Sequence, residues 1–147
     1  MPHGTHQLSC LLDMPTDSGV QSGVARMNVV VLYVAAMLTG LWGVAHLFAT
    51  KGVVAGFGEL SLDNTRILTM EWIVEGVALL STAAFVVAAT LTQPESSSAV
   101  YGVAIGTLLV LAVVSLFTGF KIAFLPFRLC PIVFGISAAL IAWGAWF

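Results

Sequence analysis

Few residues in this chain could do chemistry, and five of them gather towards one end of its apolar segments: Glu75, Glu71, His46, Lys121 and Arg128. The two glutamates stand four residues apart in "RILTMEWIVEGVALL", so on a helix they share one face. At 1.5 Å per residue, Glu71 falls about one turn inside the second apolar segment and Glu75 about one turn deeper. Placing a charge at the centre of a membrane helix costs about 2.5–3.5 kcal/mol, and carboxylates at this spacing also repel each other. The pair therefore needs a cation, a shared proton or a buried water. His46, Lys121 and Arg128 are the candidate partners, and they fall at the same end of their segments.

Each of these residues also has a plainer account. Lys51, Lys121 and Arg128 can be topology signals that snorkel to the headgroups. His46 can be a hydrogen-bonded packing residue, and Glu71 an anchor at the membrane interface. Glu75 resists such an account, because an ionisable residue inside a membrane span is a functional candidate by default.

Other chemistries have less support. Glu71, Glu75 and His46 offer three ligands to an iron or zinc ion, but a di-iron bundle takes four carboxylates and two histidines, with Glu-x-x-His pairs that this chain lacks. No metal site is assigned. Ser81, Ser115 and Ser137 lie in apolar segments without a base to activate them, and no catalytic signature is apparent. Cys10 and Cys130 form neither a disulfide framework nor a metal motif. Gly102 and Gly106 make a G-x-x-x-G pattern that suits helix packing or self-association.

The elements that must position the five residues follow from composition. The chain has 147 residues, 59% hydrophobic and 8% charged, whereas soluble domains carry roughly 25% charged residues. It cannot cover a water-facing surface, and an all-α integral membrane four-helix bundle is predicted. The net charge of −2 gives no reason to expect nucleic acid. Residues 1–26 are polar, broken by Pro and Gly, and lack the apolar stretch of a signal peptide. They are expected to form a disordered tail, or to precede a true start at Met27. Residues 27–147 form the membrane domain, with spans at 27–48, 67–92, 99–120 and 129–147. About 20 apolar residues cross a bilayer, and the runs lack the alternation of barrel strands. Residues 49–64 are long enough to lie along the interface, 93–98 make a short polar turn, and 121–131 form an apolar link broken by Pro126 and closed by Pro131.

Lys51, Arg66, Lys121 and Arg128 flank the spans on one side, against Arg26 on the other. The positive-inside rule then puts both termini outside the cytoplasm. A bacterial inner membrane is the expected location. Helical spacing also aligns Thr39, Gly43 and His46 on the first span and Glu71, Glu75, Ala78 and Thr82 on the second. Thr107, Leu111, Val114, Thr118 and Lys121 align on the third. Small and polar residues on facing stripes are what membrane helix interfaces use. One polar cluster in the cytoplasmic half, under an apolar outer half, is the expectation.

The order "GLWGVAHLFATKGVVAGFG", a polar break, then "RILTMEWIVEGVALL" resembles the DoxX-like group of small four-helix bacterial membrane proteins. The resemblance covers about residues 27–91, with the later spans alike in hydropathy. It implies membership of a membrane redox or quinone-linked assembly, or a role with a lipophilic small molecule. From the residues themselves, the favoured function is an accessory or binding protein. Its polar cluster would hold the head of a quinone- or lipid-like molecule, while the tail lies along the apolar half. Proton- or cation-coupled transport by a homo-oligomer is the alternative, as is a structural role in a larger membrane complex.

Overall fold

The computed structural model describes residues 27–92, 96–119 and 125–147. The expected tail at 1–26 lies outside the described residues, and so does Lys121. Four helices make up the fold: α1 (Val29–Ala55), α2 (Leu62–Thr92), α3 (Ser98–Gly119) and α4 (Leu125–Trp146). All four are long and apolar enough to cross a membrane. The chain is an all-α, integral membrane four-helix bundle. In lipid, a helix satisfies its backbone polar groups within itself, which is why apolar runs of this length become helices.

Three of the helices, α1, α2 and α4, are longer than hydropathy alone predicts. The segment expected to lie along the interface is mostly helical, since α1 runs on to Ala55 and α2 begins at Leu62. Val53 and Val54 are buried, and Thr50 donates its hydroxyl to the His46 carbonyl, so packing carries α1 past its apolar core. What remains is a tight turn in which Gly58 takes a positive φ of 77°, a conformation open to glycine. Ser61 accepts a hydrogen bond from the Asn64 backbone N–H and so caps the start of α2.

The link before the fourth span is also corrected. Pro131 does not close a loop; it lies inside α4, which starts at Leu125. Pro126 stands in the first turn, where a missing N–H costs nothing. Pro131 offers no N–H to the carbonyl of Phe127. That carbonyl lies 2.7 Å from where a Cβ on Gly119 would stand, so the end of α3 closes tightly on the start of α4.

Around the bundle the helices neighbour one another in chain order. α1 packs closely on α2 and on α4, and α3 packs closely on α4, but α2 and α3 scarcely touch. The core is formed by Leu32, Leu79, Leu108, Phe134 and Ile141, each at most 1% exposed, with small residues such as Ala35, Ala36, Ala104 and Ala138 between them. Large apolar side chains such as Val30, Leu41, Phe48, Val103 and Phe117 face outward, as a lipid-facing surface requires. Trp143, Trp146 and Phe147 are exposed at the end of α4, in keeping with an interfacial aromatic belt.

Candidate functional site

The site is built on a close crossing of α1 and α2. A Cβ at Gly43 would stand 2.9 Å from the Gly76 carbonyl oxygen, and one at Gly76 would stand 3.0 Å from the Gly43 carbonyl oxygen. Two glycines thus let the backbones touch. Glu75 precedes Gly76, and His46 lies about one turn beyond Gly43, so the crossing brings these side chains together. The His46 Nε2 to Glu75 Oε1 distance is 3.6 Å. That is ion-pair range but too long for a hydrogen bond.

The other ring nitrogen decides what this pair can do. His46 Nδ1 is 2.9 Å from the Trp42 carbonyl oxygen, one turn back on α1. A carbonyl only accepts, so Nδ1 carries a proton and donates it there. Nε2 is left facing the carboxyl group. If neither Nε2 nor Glu75 carries a further proton, two acceptors oppose each other. The pair is complete with one proton held between them, or with a cation beside the carboxylate. His46 is 4% exposed and the Glu75 side chain 29% exposed, so the histidine stands behind and the glutamate in front.

Aromatic rings enclose the histidine. Trp72 stacks on His46 with ring centroids 4.8 Å apart and planes 26° apart, and Phe127 tilts against Trp72 at 5.1 Å. Trp42 meets the His46 ring edge-on at 5.9 Å. His46 Nε2 and the indole nitrogen of Trp72 are sealed from solvent without a hydrogen-bond partner among the described residues, and the buried indole nitrogen of Trp42 lies beside the Cys130 thiol.

In front of Glu75 lies a cavity of about 440 Å³. Glu71, Glu75 and Ala78 line it from α2, Leu111, Val114 and Thr118 from α3, and Phe127 and Cys130 from α4. A second cavity of about 440 Å³ continues the same two stripes one turn further on, between Thr82 and Phe85 of α2 and Val103 and Thr107 of α3. Together they form a groove along the loose α2–α3 seam. From Glu71 to Phe85 it extends about 21 Å at the helical rise. The seam closes beyond it, where Thr90 and Tyr101 share a 3.0 Å hydrogen bond across the two helices.

The structure therefore brings together His46 and Glu75 and places Glu71 on the same cavity, where it is exposed. Arg128 is exposed in the second turn of α4; its neighbours Phe127 and Cys130 line the cavity, but Arg128 does not. Lys121 lies outside the described residues. Of the stripes read from helical spacing, those of α2 and α3, up to Thr118, face each other across the seam, whereas Thr39, Gly43 and His46 are buried on α1. Their hydroxyls, however, serve their own helices: Thr39, Thr82, Thr107 and Thr118 each donate to the carbonyl four residues back. Gly102 and Gly106 are exposed and meet nothing within the bundle. No group of three metal-ligating side chains occurs among the described residues.

Sequence reasoning missed Trp42, Trp72, Phe127 and Cys130. Two of them had a usable signal: Trp42 precedes His46 by four residues and Trp72 precedes Glu75 by three, spacings that share a helix face. Comparisons with protein-family models, curated proteins and solved structures give no match.

Proposed function

We propose that this small multi-pass membrane protein is an accessory or binding protein that holds a lipophilic molecule. The head sits at the Glu75–His46 pair and the tail lies along the α2–α3 seam. The observation that carries this reading is the cavity in front of Glu75, which continues into an apolar groove. Glu71 and Glu75 line one half, and among the described residues that line the other half there is no titratable side chain. That asymmetry fits an amphiphile. It also weighs against a proton relay across the membrane, which needs ionisable groups in both halves.

The resemblance to DoxX-like proteins agrees with a quinone- or lipid-like ligand and with a place in a larger membrane assembly. The bias of basic residues supports both termini lying outside the cytoplasm, with the Glu75 end of the groove towards the cytoplasm. The test is native mass spectrometry of the protein released from membranes in lipid particles, wild type beside Glu75→Gln. The expected result is a discrete lipophilic adduct on the wild type that the variant loses while keeping its helix content. An adduct retained by the variant, or absent from both, would count against the proposal.

A further inference from the structure

We infer that the head of this ligand is a cation: the site takes a lipophilic amine or quaternary ammonium compound. The inference rests on the binding reading above and adds the sign of the charge. Glu71 and Glu75 both line the cavity, and among the described residues that line it there is no lysine, arginine or histidine. A neutral or anionic head would leave the carboxylates opposed by nothing on the ligand side.

The buried side of the site points the same way. His46 is 4% exposed, its Nε2 has no hydrogen-bond partner among the described residues, and that nitrogen is aimed at Glu75 from 3.6 Å. Its other nitrogen already donates to the Trp42 carbonyl. One proton between the two members or a cation beside the carboxylate completes the pair, and a cation reaches it from the cavity, because Glu75 is the partly exposed member.

Aromatic rings supply the rest of a cation site. Phe57, Trp72 and Phe127 line the cavity beside the carboxylates, and a ring face attracts ammonium groups through its quadrupole. The indole nitrogen of Trp72 is sealed from the cavity, so a ligand meets the ring and not its N–H donor. A quinone carbonyl would meet carboxylates, ring carbons and the hydroxyls of Ser115 and Thr118, of which Thr118 already donates to the Val114 carbonyl. A trimethylammonium group finds carboxylates and aromatic side chains in one lining, with the seam beyond for its chain.

Proton and cation then compete for one carboxylate. Glu75 is faced by His46 from α1 and by Cys130 from α4, with Glu71 one turn away on α2 and the polar hydroxyls of Ser115 and Thr118 on α3. Protonation of Glu75 removes the charge that attracts the head, so binding weakens as pH falls.

The experiment uses the full chain in lipid nanodiscs, with quenching of tryptophan fluorescence or isothermal titration as the readout. The probes are benzyldimethyltetradecylammonium and, at the same chain hydrophobicity, a neutral alkyl quinone. Saturable binding of the ammonium probe is expected, stronger at pH 8 than at pH 5. It should weaken at least about tenfold in Glu75→Gln and about fivefold in Trp72→Leu. Glu75→Asp, which keeps the charge, should bind more tightly than Glu75→Gln. Circular dichroism of each variant separates loss of the site from loss of the fold. Saturable, Glu75-dependent binding of the quinone without binding of the ammonium probe would overturn the cationic head and leave the binding reading standing. Ammonium binding equal in wild type and Glu75→Gln would be partition into lipid and would overturn the inference. Failure of both probes would overturn it too, and with no native adduct would also remove the binding reading.

Discussion

His46 and Glu75 are held in a relation that neither could keep alone. The Trp42 carbonyl orients the imidazole, the Gly43–Gly76 crossing sets its distance from the carboxyl group, and Trp72 covers the ring. Breaking such a pair from one side leaves the other member uncompensated. His46→Leu should therefore lower stability by about 2–4 kcal/mol, and the double variant His46→Leu/Glu75→Leu should recover part of that loss. Thermal unfolding in a mild detergent measures both; a double variant less stable than His46→Leu would contradict the coupling. Ser137 offers a contrasting case. Its hydroxyl is fully buried on α4 without a partner among the described residues, and nothing in the site uses it. Ser137→Ala should be neutral or stabilising by about 1 kcal/mol in the same assay. At this scale Glu75 was legible, because a carboxylate in an apolar run has few ordinary explanations. The rings around it were not. Tryptophan and phenylalanine are common in membrane helices, and helical spacing within one segment cannot show that Phe127 of α4 will meet Trp72 of α2.

Between elements, the glycines separate into those that set a distance and those that do not. Gly43 and Gly76 stand backbone to backbone, whereas Gly102 and Gly106 meet nothing within 4 Å. Gly43→Ala or Gly76→Ala should push α1 from α2, costing about 1–3 kcal/mol and widening the His46–Glu75 gap. Gly102→Ala and Gly106→Ala should leave the monomer as stable as before. Unfolding midpoints for the four variants test the distinction, which fails if all behave alike. The sequence placed Gly43 on an interface stripe but did not single out Gly76, and the G-x-x-x-G motif at Gly102 and Gly106 marks a small-residue face without saying what approaches it. Helix ends were misread for a related reason. Hydropathy reports the apolar centre of a span, but α1 continues because Val53 and Val54 find burial, and α4 passes through Pro131 while Gly119 lets α3 close against it.

The whole molecule behaves as two helix pairs, α1 with α2 and α3 with α4, joined through α1 and α4 and gaping between α2 and α3. Four apolar segments and their helical stripes made the bundle legible in advance. The gap was not, since hydropathy does not tell a stripe that faces another helix from one that lines a space. Filling the groove tests its importance without touching a charged residue. Thr82→Trp should abolish retention of the native adduct while helix content and the Glu75 end are unchanged; undiminished retention would show that the tail lies elsewhere. The open seam also fixes how a ligand arrives. An entrance between two lipid-facing helices is reached by sideways diffusion within the bilayer, so the molecule is captured after it has dissolved in the membrane. Occupancy then follows the ligand's mole fraction in lipid and not its concentration in water. Diluting the protein with buffer at a fixed lipid-to-protein ratio leaves saturation nearly unchanged, whereas adding empty lipid lowers it.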